Sequence, residues 1–195
     1  KRQNKWKGNK EEKNSNWSKK QRFEGPIDNR RDYGEDIHEG SFPLEEVKAM
    51  KEYERRIEQP PSTKRKYALA IGYCGTNYHG LQVNPGAITI ESILERGLFL
   101  CGGIKEHNYG HLQKVSWTRA ARTDRGVHAV AQCCSMKLEF PESQSSLFLE
   151  QLNSFLPNDI QALAITRTTK SFNARTHCSH RRYEYLLPSY MLMPE

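Results

Sequence analysis

Lys66-Tyr67-Ala68-Leu69-Ala70-Ile71-Gly72-Tyr73 marks the point where the chain changes character. The short apolar run from Tyr67 to Tyr73 is the signature of a β-strand. Upstream, residues 1 to 62 are poor in apolar side chains and rich in Lys, Arg, Glu, Asn and Gly. Such a segment buries too little surface to offset its ordering entropy, so it is expected to be disordered or ordered by a partner. One interruption stands out. Leu44, Val47, Met50 and Tyr53 follow a helical spacing within 43–58, with Ser41 as a candidate cap and Pro43 early. Pro60-Pro61 and Ser62 then form a natural boundary.

Downstream of Tyr73 the signals alternate. Gly72, Gly75 and Gly80 mark a turn-rich loop. Thr89 is placed to cap a helix from Ile90 to about Cys101, with Ile90, Ile93, Leu94, Leu98 and Cys101 on one face and Gly102-Gly103 ending it. Val115 to Ala121 reads as a strand. Val127 to Phe140 reads as a longer one, with Val130, Gln132, Cys134, Met136 and Leu138 sharing a parity. Ser145 or Ser146 opens a second helix whose stripe is Leu147, Phe148, Gln151, Leu152 and Phe155. Strands are expected at Ile160–Thr168 and Arg182–Leu187. The order βαββαβ is the ferredoxin-like split motif, an α+β fold with a mostly antiparallel sheet and two helices on one face.

Residues 1 to 22 hold nine Lys or Arg against two Glu, which equals the +7 net charge of all 195 residues. A basic arm on a near-neutral body suits a nucleic-acid partner. No apolar run approaches membrane-spanning length, so no membrane partner is expected. No apolar segment follows the basic start as a secretory signal requires, and the first residue is Lys, which points to a processed or partial form. Five cysteines without a Cys-x-x-Cys pair fit neither a zinc ribbon nor a disulfide framework. Free thiols in an intracellular compartment are expected, whether nucleus, cytosol or organelle.

Arg119-Ala120-Ala121-Arg122-Thr123-Asp124-Arg125-Gly126-Val127-His128-Ala129 carries the chemistry. One carboxylate sits among three arginines. Positive neighbours favour the ionised form of a carboxylate, which is the form a nucleophile or base requires. In extended backbone, Arg122 and Asp124 project to the same side and their charged ends can pair. Composition alone leaves two readings level: a catalytic pair, or a loop ion pair of about 1 kcal/mol at most. His128 with Cys133 or Cys134, and the His177, Cys178, His180 group, are weaker candidates for a thiol nucleophile and a metal site; core thiols and no metal are expected.

The segment from Ala121 to Ala129 resembles the active-site motif of the TruA family of tRNA pseudouridine synthases. Gly72-Tyr73-Cys74-Gly75-Thr76-Asn77-Tyr78-His79-Gly80-Leu81-Gln82 resembles that family's first glycine-rich motif, and Thr89-Ile90-Glu91 with Leu94-Glu95 the start of its first helix. Leu156-Pro157-Asn158-Asp159-Ile160, Phe172-Asn173-Ala174-Arg175 and Arg182-Tyr183-Glu184-Tyr185 resemble its later motifs, in the same order. Tyr185-Leu186-Leu187-Pro188 looks more like the eukaryotic branch. The likeness runs over 66–190.

The resemblance implies an isomerase that converts uridine to pseudouridine in tRNA or another structured RNA, without an organic or redox cofactor. It implies Asp124 as nucleophile, Arg122 as its partner, and Tyr183 as the residue that stacks on the flipped base. Arg119, Arg125, His128, Arg175, Arg181 and Arg182 are then expected to meet RNA, with salt-dependent affinity. Family members fold as two similar domains around a central cleft. The second is expected to be missing from this sequence, with 66–190 as the N-terminal catalytic domain. A homodimer is compatible with that layout. The alternative is a non-catalytic RNA-binding component of a ribonucleoprotein such as a ribosome, which keeps the fold.

Overall fold

The structure is a computed structural model and describes residues 42–51 and 63–192. Within them, a short helix α1 (Leu44–Lys51) precedes strand β1 (Arg65–Tyr73), helix α2 (Ile90–Leu100) and a two-residue strand β2 (Thr118–Arg119). Strand β3 (Ala129–Leu138), helix α3 (Ser145–Phe155) and strand β4 (Ile160–Arg167) follow. The sheet order is β2-β3-β1-β4, and every neighbouring pair is antiparallel. This is the ferredoxin-like α+β arrangement expected from the alternation of elements.

Strand β1 sits between β3 and β4, and its larger side chains, at every second position, share one face. Tyr67, Leu69, Ile71 and Tyr73 all point into the core. Across from them, Met136, Cys134 and Gln132 of β3 pair with Tyr67, Leu69 and Ile71. Phe140 links sheet to helix, stacking on Tyr67 at 4.4 Å and on Phe148 of α3 at 4.0 Å between ring centroids.

Helix α2 starts as its sequence indicates. Thr89 accepts from the Ser92 N–H and the Ser92 side chain accepts from the Thr89 N–H, a reciprocal capping box. Its environment differs from the one-faced helix expected, since every residue from Ile90 to Leu100 is buried. The outer side is covered by α1, where Val47 joins the core, and by the segment around Ile104, Tyr109 and Trp117. Phe42 lies under the Arg96 guanidinium, 4.4 Å from its ring centroid, and its carbonyl accepts from the Tyr109 hydroxyl at 3.0 Å. Helix α1 therefore shares the core of the sheet, although the composition places it in the polar extension. The Ser41 cap, the helical positions beyond Lys51 and the basic arm lie outside the described residues.

Three further expectations change. The strand read over Val115–Ala121 shrinks to Thr118–Arg119, because Leu112–Val115 form a 3-10 turn that ends on Ser116 in the left-handed region (φ 51°). The parity of β3 breaks near its start: Ile71 pairs with Gln132 but Tyr73 pairs with Ala129. That irregularity turns Val130 out to solvent, 94% exposed. Arg182–Leu187 forms no strand and is exposed throughout. A strand needs a neighbour to supply its ladder, and none of the described residues pairs with this segment.

Candidate active site

The Asp124 loop lies between β2 and β3 and is held by backbone contacts along most of its length. The Ala120 N–H donates to the Cys133 carbonyl (2.8 Å), and the Ala120 carbonyl accepts from Arg181 Nη2 (2.6 Å) and Nε (3.1 Å). The Ala121 carbonyl accepts from Gln132 Nε2 at 3.1 Å. The Thr123 carbonyl accepts from the Leu81 N–H at 3.0 Å, and its hydroxyl bonds the Tyr73 hydroxyl at 2.8 Å. The Val127 N–H closes a turn onto the Asp124 carbonyl at 3.2 Å.

The glycine-rich segment after β1 makes this possible. A Cβ on Gly75 would lie 2.0 Å from the Val127 carbonyl oxygen, so only glycine permits that approach. Gly80 has φ +94°, and a Cβ there would lie 2.7 Å from the Thr123 oxygen. The two segments pack backbone against backbone. Asp159, just before β4, fixes the other side: its carboxylate accepts from the Tyr78 hydroxyl (2.6 Å) and Asn77 Nδ2 (3.4 Å), and its carbonyl from the Cys74 N–H (2.8 Å).

A buried acid anchors the approach to the loop. Glu91, on the first turn of α2, accepts from Trp117 Nε1 at 2.6 Å, from the Val83 N–H at 3.1 Å, and from Arg119 Nε. Burial pushes its carboxyl up, opposed by the Arg119 charge and these hydrogen bonds. Tyr73, also buried, has its phenol pushed up by desolvation. Past β4, Ala174 is buried, and its N–H lies 3.2 Å from both the Thr118 and Ser135 hydroxyls. Asn173 caps this turn through the N–H groups of Arg175 and Thr176. The glycine-rich segment, Gln132 and Arg181 hold the loop itself, while Asp159, Glu91 and Ala174 hold the segments beside it.

What the loop presents is a carboxylate. Asp124 is exposed, and among the described residues its side chain has no hydrogen bond and no ion pair. A carboxylate without a partner, carried on a hydrogen-bonded backbone, has the chemistry of a nucleophile or a base.

No protein-family model matches the chain. Curated relatives do match. The chain is 42% identical over 131 residues to tRNA pseudouridine synthase 1 of Schizosaccharomyces pombe, covering 67% of this chain and 24% of that protein. It is 47% identical over 132 residues to tRNA pseudouridine synthase 1 of Kluyveromyces lactis, covering 67% and 23%. This chain belongs to the TruA family of pseudouridine synthases. A further relative is tRNA pseudouridine(27/28) synthase of Saccharomyces cerevisiae, 40% identical over 125 residues, with 64% of this chain and 33% of that protein covered. The chain spans about a quarter to a third of the length of these TruA-family relatives.

The positions carried over from the TruA family fall into distinct settings. Arg122, Arg125 and His128 are exposed around Asp124. The direct Arg122–Asp124 pair is not formed, since neither side chain makes an ion pair among the described residues. Arg119 does not face a ligand; its guanidinium is held by the fully buried Glu91 and is itself only 19% exposed. Arg181 is occupied in part by the Ala120 carbonyl. Arg175 is exposed, and Arg182 pairs with Glu184 at 2.7 Å in an exposed setting. Tyr183 is 60% exposed, and among the described residues it has no hydrogen bond or ring contact. Among the described residues no three His, Cys, Asp or Glu side chains gather to hold a metal. His177 bonds the Asn173 backbone and the Cys178 thiol meets the His180 carbonyl.

Nothing in the sequence signals that Tyr73, Thr123 and Arg181 clamp the loop, because each acts through a partner 50 or 61 positions away; Gln132 reaches Ala121 across 11 positions. Glu91 is visible in the sequence as an acidic residue in the first turn of α2, with nothing local to mark it as buried.

Proposed function

We propose that this chain is the aspartate-bearing part of an RNA pseudouridine synthase that isomerises uridine in tRNA, with Asp124 as nucleophile. The observation that supports it is the pinned loop that presents an unpaired carboxylate, in a chain similar to relatives named tRNA pseudouridine synthase. The target base leaves its stack to reach that carboxylate. Asp124 attacks the ribose or the base, and the bond between the ribose and the base nitrogen breaks. The base turns and rejoins the ribose through carbon, and the bond made by Asp124 breaks to return its carboxylate; the proton on that carbon is lost and the freed nitrogen gains one. No net oxidation occurs, so no redox cofactor is needed.

Arg122 approaches the aspartate when the nucleotide is bound, and Tyr183 stacks on the flipped base once RNA draws its exposed ring inward. Arg125, His128, Arg175 and Arg182 meet the RNA backbone, joined by the basic arm of residues 1 to 22. Arg119 and Arg181 support the loop from within.

The test is Asp124→Asn in the intact protein, assayed for uridine conversion in a tRNA transcript. Conversion is expected to disappear while tRNA binding persists. Undiminished conversion would overturn the assignment.

A further inference from the structure

At the opposite end of the sheet from Asp124, the start of β1 and the ends of β3 and β4 enclose a groove of about 520 Å³. Lys64, Arg65, Lys66, Lys137, Arg167 and Lys170 line it, with Thr168 and Thr169. The lining residues are lysines, arginines and threonines, whose aliphatic stems contribute wall and whose ends contribute charge.

The positive charge is concentrated at a cost. Lys66 is only 6% exposed, and it sits directly across the β1–β3 ladder from Lys137. Like charges placed opposite one another destabilise a sheet pair. Burial and the Lys137 charge together push the Lys66 ammonium below the usual lysine range. Its Nζ donates to the Ser116 carbonyl at 2.8 Å, which fixes it in place without neutralising it. Lys64 is likewise held by a neutral partner, Asn108 Oδ1, at 3.1 Å. Among the described residues the lining cation with a carboxylate partner is Arg167, paired with Glu142 at the rim. Arg65, Lys137 and Lys170 have no partner among the described residues.

We propose that this groove is a second RNA-contact site, taking backbone phosphates of the same RNA whose uridine is presented to Asp124. It rests on the reading of the chain as part of an RNA-modifying enzyme. The separation supports an extended RNA. Tyr73, which bonds the Asp124 loop, ends the strand that Arg65 begins; eight residue steps at ~3.3 Å place the two sites about 26 Å apart. A single nucleotide cannot bridge that span, whereas a structured stem can. Phosphate contacts at the groove fix the register of the stem and leave base choice to the loop at the other end.

The test replaces two half-exposed or exposed residues outside the Asp124 site, Lys137→Ala with Lys170→Ala, in the intact protein. Thermal unfolding serves as the folding control, and Lys170→Ala alone is the milder variant if the double change perturbs folding. Affinity for a tRNA transcript is expected to fall about tenfold, and the slope of log affinity against log salt to flatten by roughly 1 for each lysine removed. KM rises, while conversion at saturating tRNA stays unchanged. A hairpin too short to span both sites binds the double variant and the unaltered protein equally.

Unchanged tRNA affinity and salt slope would overturn the proposal, and would be the outcome if the groove served an acidic protein instead. Equal weakening for the short hairpin would also overturn it, since the groove would then not be a remote contact. The two readings fail separately: if the unaltered protein converts no uridine, the enzymatic reading falls, but the binding comparison still reports on the groove.

Discussion

The hydroxyls of Tyr73 and Thr123 meet at 2.8 Å, joining the last residue of the central strand to the residue before the candidate nucleophile. Both groups are at least partly withdrawn from water. This bond transmits the position of the sheet to the loop. Removing it by Tyr73→Phe leaves the ring in place and strands the Thr123 hydroxyl. We expect a loss of about 1 kcal/mol in stability, read by urea unfolding. Conversion is expected to fall more than tRNA affinity, since the loop moves but the charged surface does not. Equal losses in both would assign Tyr73 to binding instead.

Gly75 tests the close approach of the two segments. The nearest atom to its absent Cβ is a backbone carbonyl at 2.0 Å, which cannot rotate away as a side chain can. Gly75→Ala must therefore shift one segment. A cost of at least about 2 kcal/mol is expected, with conversion reduced even at temperatures where the variant stays folded. Gly86→Ala is a control for substitution by alanine where space is open, though its φ of +71° carries a backbone penalty of its own.

Glu91→Ala removes the acceptor of Trp117, Arg119 and the Val83 N–H in one step. It leaves the Arg119 charge partly buried without its partner. Breaking such a pair costs on the order of 3 kcal/mol or more, measurable by chemical denaturation. Arg119→Met in the same background is expected to recover part of that loss, because the unpaired charge is then gone. Failure to recover would show that the anchor lies in the Trp117 and Val83 bonds alone.

The thiols give an independent check on packing. Cys74 is exposed, whereas Cys101 and Cys134 are buried. Burial pushes both of those thiols up, so little of the reactive thiolate is present at pH 8. Iodoacetamide at that pH is expected to label Cys74 in the native protein and to reach Cys101 and Cys134 only after unfolding, as mass spectrometry of the digested protein would show. Early labelling of Cys134 would mean that the β3 core face opens readily.

The fold was largely legible because its signals are local. The apolar run Tyr67–Tyr73, the Thr89 cap and the apolar stripes of α2 and α3 each follow from residues close together in the chain. The failures have the opposite character. Val130 fits its strand parity, yet the register break at Ile71 and Tyr73 reverses it. Arg182–Leu187 has strand-forming side chains but no ladder to join among the described residues. The polar outer side of α2 looked solvent-facing until Phe42 and Val47 were seen to cover it.

For the site, the sequence offers Asp124 as the candidate, since a carboxylate among arginines and shortly before a glycine is visible in eleven consecutive residues. It also pointed to the family through motifs in a set order. Tertiary structure decided how the neighbouring charges are used. Arg119 and Arg122 look equivalent in the chain, but one is turned inward to a buried glutamate and the other is left exposed beside the aspartate. The reason is that an ion pair depends on separation in space and on access to water, and a residue 28 positions away supplies the partner here. The basic groove has the same origin: its lysines and arginines are spread from Lys64 to Lys170, and only the pairing of β1 with β3 and β4 collects them at one end of the sheet.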